Sequence, residues 1–375
     1  MTWSLNVQRQ VTDNLGVVVG YVGSHAVHQQ FKVDDSDMTL PHLTGNGWVF
    51  PYSTTGSPLP TLNPAFGDIR SLWWNGSSTY DGLQIGASKR LSKGVQFQGS
   101  YTWSKSLDNS SSGAGSDSYA NSLSSLHWYD LSANKSLSDY NTARVFTLST
   151  VWELPVPPMS SALGEKLLKG WELGTIFSAQ DGQPFTVLLG GDVLGQNSSD
   201  PFSFPSRVGG PGCGSMVNPG NVTQYIKLQC FSMPTAPDPT WWSANCNPAP
   251  PTLLDSNGNQ IRLNHPQNPA LDGAGWLPAL PCFNLRGNAR RNVLVGPGFA
   301  NLDFSIYKNT AFLSDRFTTQ FRVEFFNVLN HTNFQGPLSN NVLFDQTGAP
   351  VAGAGALTQT THDSREIQIA LKLLW

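Results

Sequence analysis

Charged residues are scarce in this chain of 375 residues, at 13% of the total against about 25% in an average globular protein. The formal net charge is −3 and there is no basic tract, so nucleic acid is not expected as a partner. No segment approaches the roughly 18 uninterrupted apolar residues of a membrane-spanning helix. What the chain does have is aromatic residues, 11% of the total with 12 tryptophans.

Motifs of enzyme active sites are also missing. The sequence contains no nucleophile elbow, HExxH pair, phosphate-binding loop or dinucleotide fingerprint. The glycine-containing segment 296–298 is interpreted as a turn before a strand. We therefore expect no catalytic activity, no cofactor and no metal site.

Alternation of apolar and polar residues dominates the segments that remain, and a period of two predicts strands with one dry and one wet face. Nine such strands are predicted, which makes the fold all-β and antiparallel. Each has about the 9–11 residues that a tilted strand needs to cross a bilayer. Their ranges are 2–10, 15–23, 79–91, 94–105, 141–154, 170–180, 298–309, 316–328 and 365–375.

The wet face of these strands carries most of the ionisable residues. In 94–105, apolar residues such as Phe97 and Trp103 alternate with glutamine and serine, and 298–309 and 316–328 follow the same pattern. If the dry face meets lipid, the wet face lines a lumen. The candidate lumen-facing residues are Gln96, Gln98, Asp303, Gln320, Arg322 and Glu324.

The predicted connections take turns between short and long. Outer-membrane barrels have short periplasmic turns and long extracellular loops, whereas a soluble sandwich has no reason to sort its loops in this way. The alternation therefore favours a portion of a transmembrane β-barrel, with 181–297 as its longest extracellular loop. Another interpretation is a soluble β-sandwich that binds carbohydrate, and it predicts a protein that stays in solution without detergent.

Tryptophans fall near both ends of the predicted strands, as in the aromatic girdles of barrels, although they could also be core residues at sheet ends. The periplasmic group is Trp152, Trp171 and Trp375, and the outer group is Trp3, Trp73, Trp74 and Trp103.

All four cysteines, Cys213, Cys230, Cys246 and Cys282, lie in the 181–297 excursion. An even number confined to one outer loop suggests two disulfides in an oxidising compartment, with three pairings possible. Zinc is the alternative, but no C-x₂-C spacing supports it. The loop is expected to be irregular and stapled.

Several blocks of sequence carry a resemblance to a known family. They are Tyr80-Asp81-Gly82-Leu83-Gln84, Tyr101-Thr102-Trp103-Ser104-Lys105-Ser106, Arg290-Arg291-Asn292, Gly296-Pro297-Gly298, Asn301-Leu302-Asp303-Phe304-Ser305 and 321–334 with its FRVEFFNVLNHTNF run. Together they resemble the carboxy-terminal barrel of TonB-dependent outer-membrane receptors, in the Oar-like group with a carboxypeptidase-regulatory-like amino-terminal module. The closing strand, which ends in Trp375, looks like the signal read by the barrel-assembly machinery.

This resemblance implies a 22-stranded barrel in the bacterial outer membrane, closed by an amino-terminal plug and energised by TonB. The chain has no plug or TonB box and only nine predicted strands, and its first strand begins at once. We therefore interpret 1–375 as the carboxy-terminal portion of the barrel, which would meet TonB only through an absent plug.

The expected function is TonB-dependent uptake of a scarce or large solute, with the outer loops capturing the ligand. Aromatic candidates for ligand contact are Trp128, Trp241 and Trp242, although these could equally pack the loops themselves. The alternative is a structural or adhesive outer-membrane barrel without energised transport.

Overall fold

The computed structural model describes most of the chain. The described residues are 1–33, 36–37, 40, 42–44, 47–49, 62–63, 65–67, 69–111, 128–156, 164, 167–190, 202–234, 287–312, 317–345 and 348–374.

Nine long strands pair in chain order, each antiparallel to the next, so that the sheet is a simple meander. The two-residue strand Ser136–Leu137 also pairs with the end of the fourth strand. The long strands are β1 Thr2–Thr12, β2 Leu15–Val33, β3 Ser71–Ser92, β4 Val95–Asp108, β5 Arg144–Glu153, β6 Trp171–Gln180, β7 Phe299–Phe312, β8 Phe317–Phe326 and β9 Glu366–Leu374.

All nine predicted strands are confirmed, but β2 and β3 extend about ten residues further than the alternation indicated. β2 continues to Val33, and β3 begins at Ser71. Their pairing shifts register twice, between Val27 and Phe31, and His28 has a positive φ of 56°. Such bulges interrupt the period of two, which is why the pattern ended early in the sequence.

The alternation of short and long connections is present in the structure. The short connections are 13–14, 93–94, 154–170 and 313–316, and the long ones are 34–70, 109–143, 181–298 and 327–365. The turn between β3 and β4 consists of Lys93 and Gly94, both with positive φ (53° and 75°). Two such residues form the mirror-image turn whose twist matches that of the flanking strands.

Strand register places most of the apolar side chains of the nine strands on one face of the sheet. Leu5 pairs with Tyr21, Tyr21 with Leu83, and Leu83 with Trp103, and the pairing continues across the sheet to Phe325 and Ile367. Many of these side chains are exposed, with Leu5 at 69% and Ile369 at 68%. We call this surface the apolar face, and the opposite surface the polar face.

Tryptophans mark both ends of the apolar face. Trp103 pairs with Arg144 near the long connections, and Trp152 pairs with Val95 near the short ones. Trp171, also at the short-connection end, lies opposite Lys308, whose ammonium is 5.6 Å from the indole centroid. Trp375 is outside the described residues.

A second, compact unit lies at the long-connection end, and we call it the cap. It is built from the described residues 184–190, 202–234, 287–295, 334–345 and 348–357, and it differs from the irregular loop expected for 181–297. Its short elements are Pro184–Phe185 with Leu294–Val295, Ser206–Arg207 with Phe231–Ser232, Leu188–Gly190 between Phe202–Ser203 and Val342–Phe344, and the 3₁₀ turn Leu228–Cys230.

The cap has a hydrophobic core of its own. Phe185, Leu189, Ile226 and Leu343 are at most 1% exposed, and each comes from a different part of the cap. The Tyr225 hydroxyl donates to the Val295 carbonyl over 2.9 Å, and burial raises the pKa of Tyr225 to about 12.

Helical structure is limited in the described residues to short pieces such as α1, Leu131–Asn134. None of the helices there has the length and apolar character needed to cross a membrane.

Candidate functional site

The polar face of β6, β7 and β8 carries a connected set of side chains. Asn309 donates to Glu172 (2.7 Å), and Gln320 donates to Asn309 (2.8 Å). Nε of Arg322 donates to Gln320 (2.6 Å) and its guanidinium lies 5.0 Å from the Tyr307 ring centroid. Because each member has a partner in the set, together they form a connected, hydrophilic wall.

Three of the predicted lumen residues, Gln320, Arg322 and Glu324, lie in or beside this set, and the Tyr307 hydroxyl donates to Glu324 over 3.3 Å. Gln96 and Gln98 lie on the same face of β4, four strands away from β8, and are exposed. The structure therefore places them on the predicted face but does not gather them into one site.

The sixth predicted residue, Asp303, shares the face but has a local role. One of its carboxylate oxygens accepts from the Asn301 amide and from the backbone N–H of Asn327, both over 2.9 Å. Asn327 has a positive φ of 49°, and its side chain bonds the N–H and carbonyl of His331. Asp303 and Asn327 thus terminate β8 and turn the chain towards the cap.

Another part of the resemblance motif, Asn333, extends β7 with its side chain. Its amide accepts from the N–H of Ala300 (2.9 Å) and donates to the carbonyl of the same residue (3.0 Å). A side chain here replaces the backbone of a neighbouring strand. Asn333 therefore stabilises the base of the 327–365 connection.

Arg291 joins the cap to the 109–143 connection. Its side chain is largely buried and forms ion pairs with Asp108 and with Asp139, the latter at 3.0 Å. It also donates to the Ser111 hydroxyl (3.0 Å) and to the Asn134 carbonyl (3.2 Å). A buried cation needs such partners, because an uncompensated charge in the interior costs several kcal/mol.

The next residue, Asn292, reinforces the same junction from a left-handed backbone conformation (φ 54°). Its amide donates to Asp139 (2.6 Å) and to the Leu137 carbonyl (2.7 Å), and its N–H donates to Thr186 (3.0 Å). Burial raises the pKa of Asp139, although Asn292 and Arg291 both act in the opposite direction. The Arg290-Arg291-Asn292 block is thus a structural clamp between two long connections.

A cavity of about 520 Å³ lies where the polar face meets the cap. Strands β5 and β6 contribute Thr147, Ser178 and Gln180, and the cap contributes Phe185 and Phe334. This volume is in the range of small-molecule sites, which combine apolar walls with a few placed polar groups. We call it the cap pocket.

Glycines make the wall of the cap pocket thin. A Cβ placed on Gly182 would lie 2.0 Å from the Gly296 carbonyl oxygen, so only glycine fits there. Gly296, Pro297 and Gly298 form part of the lining. The segment read in the sequence as a simple turn therefore has a second role, and the paired glycines near 182 and 296 are the signal that could have revealed the pocket.

None of the residues predicted to bind ligand lines the cap pocket within the described part of the chain. Trp128 instead packs against Trp73, with ring centroids 5.0 Å apart, and against Tyr129 at 6.0 Å. Trp241 and Trp242 lie outside the described residues, and their binding role stays a prediction.

One disulfide joins Cys213 to Cys230 across 17 residues of the cap. Cys246 and Cys282 lie outside the described residues, so the second predicted pair stays a prediction.

The sheet has an exposed apolar face, a polar opposite face, and short and long connections at opposite ends. A comparison of the sequence with protein-family models agrees with this arrangement. The family model described as the outer membrane beta barrel domain matches residues 1–368. The chain belongs to this family. The protein is therefore an outer-membrane β-barrel domain, located in the bacterial outer membrane. Its apolar face meets lipid, and its long connections and cap lie together at one end of the strands, which in barrels of this kind is the extracellular end.

Three solved structures are among those that match the chain. The outer membrane transporter YddB from Escherichia coli is 10% identical with a TM-score of 0.40, over 99% of this chain and 32% of that one. The ferripyoverdine receptor of Pseudomonas aeruginosa is 11% identical with a TM-score of 0.36, over 99% and 26%. The FrpB iron transporter of Neisseria meningitidis is 10% identical with a TM-score of 0.33, over 99% and 31%.

The barrel domain thus spans about a third or less of the length of these structures. Likeness of this degree carries no argument about ligand or mechanism. A search of curated proteins finds no match.

Proposed function

We propose that this barrel domain acts in TonB-dependent uptake of a scarce or large solute. The observation that carries the proposal is the cap pocket, a cavity of about 520 Å³ between an extracellular cap and the polar face of a membrane sheet. A solute captured there lies at the outer end of a hydrophilic wall that follows β6, β7 and β8. No step of the proposal requires catalysis.

In this proposal the cap holds the ligand and the polar face forms one side of its path. Gln320, Arg322, Glu324, Gln96, Gln98 and Asp303 contribute polar groups to that side. TonB would act through a plug domain, as the Oar-like receptor resemblance implies. The last strand, β9, would be the part recognised by the barrel-assembly machinery.

Uptake can be tested in the native host without knowing the solute. The spent medium of the wild type is compared by untargeted mass spectrometry with that of an in-frame deletion of this gene and that of a TonB-deficient strain. We expect at least one solute that the wild type removes and both other strains leave behind. If the deletion strain removes every solute that the wild type removes, the transport proposal is wrong.

Structural or adhesive function is the second candidate. The Cys213–Cys230 disulfide and the Arg291 clamp hold the cap in a fixed shape, which suits a surface that binds another surface. A deletion strain with normal uptake and impaired attachment would favour this candidate. Normal attachment with lost uptake would favour transport.

A further inference from the structure

A groove of about 750 Å³ lies at the extracellular end of the sheet, on the face opposite to the cap pocket. Register decides which face this is. Tyr21 pairs with Leu83, Leu83 with Trp103, and Trp103 with Arg144, so these four lining side chains all project from the apolar face. This side of the groove therefore faces lipid, and the rest of its lining includes Leu137, Asn141 and Val295.

Its position along the strands is at the boundary of the apolar band. Trp103 is 61% exposed, and the Trp3 indole covers Gly23, where a Cβ would lie 2.2 Å from the ring. Tryptophan and tyrosine at this depth mark the interface between hydrocarbon and headgroups. The groove is thus at the level of the outer-leaflet headgroups.

Four charged side chains project from the same face at this end: Asp81, Lys105, Arg144 and Asp181. The two carboxylates already have partners. Asp81 accepts from the Tyr21 hydroxyl over 2.6 Å, and Asp181 accepts from Nε and Nη2 of Arg144 over 2.7 and 2.9 Å.

The two cations keep donors available. Lys105 lies directly across from Asp81 in the pairing of β3 and β4 but forms no hydrogen bond or ion pair among the described residues, and Nη1 of Arg144 makes no hydrogen bond there either. Lys105 is two residues beyond Trp103, the direct partner of Arg144, so the two cations are diagonal neighbours about 7–8 Å apart at the backbone. An anion placed between them satisfies both.

We propose that this groove binds the phosphorylated headgroup of an outer-leaflet lipid. Lys105 and Nη1 of Arg144 contact the phosphate, while Leu83 and Trp103 contact the apolar part of the same molecule. Long basic side chains on a lipid-facing surface extend to the interface, where anionic headgroups are their natural partners. This site rests on the membrane location of the barrel domain and not on the transport proposal.

The test is a titration of the full chain, purified in detergent, with lipid A that carries phosphates and with the same lipid after phosphatase treatment. Native mass spectrometry counts the bound lipid. We expect clear preference for the phosphorylated form. Lys105→Gln should weaken its binding about fivefold, since a basic side chain near an anionic surface contributes about 1 kcal/mol. Equal binding of both lipid forms would overturn the proposal.

Arg9→Gln is the matched control, because Arg9 is an exposed cation on the apolar face of β1 near the short connections. It should leave binding unchanged. An equal loss of lipid binding in Arg9→Gln and Lys105→Gln would show that the lipid is attracted by the overall positive charge and not by a defined site, and the proposal would be wrong. Inorganic phosphate at millimolar concentration should not displace the lipid, and displacement would mean a small-anion site instead.

A second variant separates binding from stability. Asp181→Asn frees Arg144 from its carboxylate partner, so the phosphorylated lipid should bind more tightly. If the Arg144–Asp181 pair only stiffens the sheet end, Asp181→Asn and Lys105→Gln would both leave the lipid preference where it was, and the proposal would fail.

Discussion

The sheet and the cap of this barrel domain orient their apolar side chains in opposite directions. In the cap, Phe185, Ile226 and Leu343 point inwards and are at most 1% exposed. In the sheet, Leu5 and Ile369 point outwards and are almost 70% exposed to the surroundings. Side chains of the same types suit both regions, because the cap is surrounded by water and the sheet by hydrocarbon. The difference teaches that exposure of an apolar residue must be judged against the solvent it meets.

The largest expected effect concerns the junction between the two regions. Arg291→Gln leaves the buried carboxylates of Asp108 and Asp139 without their cation, which should destabilise the cap by about 3–5 kcal/mol. Hydrogen exchange should show loss of protection in 202–234 and unchanged protection in β4 and β5. Arg207→Gln, at an exposed site of the same cap, is the control. Intact protection in Arg291→Gln would mean that the junction contributes little.

Two isoleucines compare the regions directly. Ile226→Ala creates a cavity in the cap core and should weaken local protection there by about 2–5 kcal/mol. Ile369→Ala, on the lipid face of β9, leaves a gap that hydrocarbon chains fill, so no cavity persists. Hydrogen exchange in detergent measures both. Similar losses at the two sites would contradict the distinction between a packed core and a lipid face.

Neighbouring residues in the middle of β5 test the two faces of the sheet. Leu148→Arg puts a charge on the lipid face, at a cost of about 2–4 kcal/mol at the bilayer midplane. Ser149→Arg puts the same charge on the polar face and should cost much less. The measurement is the midpoint of urea unfolding in liposomes. Equal midpoints would contradict the assignment of the faces.

The cap disulfide should contribute somewhat less. Replacing both Cys213 and Cys230 with serine removes a cross-link that spans 17 residues. By restricting the unfolded chain, a cross-link of this span adds about 3 kcal/mol to the free energy of unfolding. Because the sheet holds the cap at several other points, we expect a part of this value to appear. The assay is protease resistance of intact cells expressing each form. An unchanged cleavage rate would show that the core alone holds the cap.

The smallest effect is a dependence on pH at the junction. Burial raises the pKa of Asp139 above its usual 3.8, so this carboxyl group stays protonated to a higher pH in the folded cap than in the unfolded chain. Cap stability should therefore be greatest below pH 3.8 as far as Asp139 is concerned, and should fall as the pH rises through the raised pKa. Asp139→Asn should remove this fall. The readout is hydrogen exchange of the cap as a function of pH, corrected for intrinsic rates.

The sequence allowed the sheet to be predicted but not the cap. Strand alternation is local, so β4 and β8 were predictable within a few residues. The cap depends on pairs far apart in the chain, such as Leu188 with Val342, in strands of two or three residues that show no period. The role of Arg291 likewise requires two separate connections to meet, and no single segment announces it.

The bulged ends of β2 and β3 show the same limit at smaller scale. Pairing persists to Val33 and Ser71 although the alternation has stopped, because backbone hydrogen bonds tolerate a register shift that side-chain patterning does not. The cap pocket was missed for a related reason. Its wall depends on the close approach of Gly182 and Gly296, which are 114 positions apart in the numbering.

Asp181, Gly182, Gly296 and Gly298 belong to both the cap pocket and the lipid-side groove, one on each face of the sheet. A solute in the cap pocket and a lipid in the groove would share this wall. If the binding of either one moves the wall, the two binding equilibria are thermodynamically linked. Linkage is reciprocal, so any factor by which a bound lipid changes solute affinity is also the factor by which the solute changes lipid affinity. If both sites bind as proposed, the composition of the surrounding membrane would act as an effector of the pocket, and binding constants would depend on the bilayer or micelle in which they are measured.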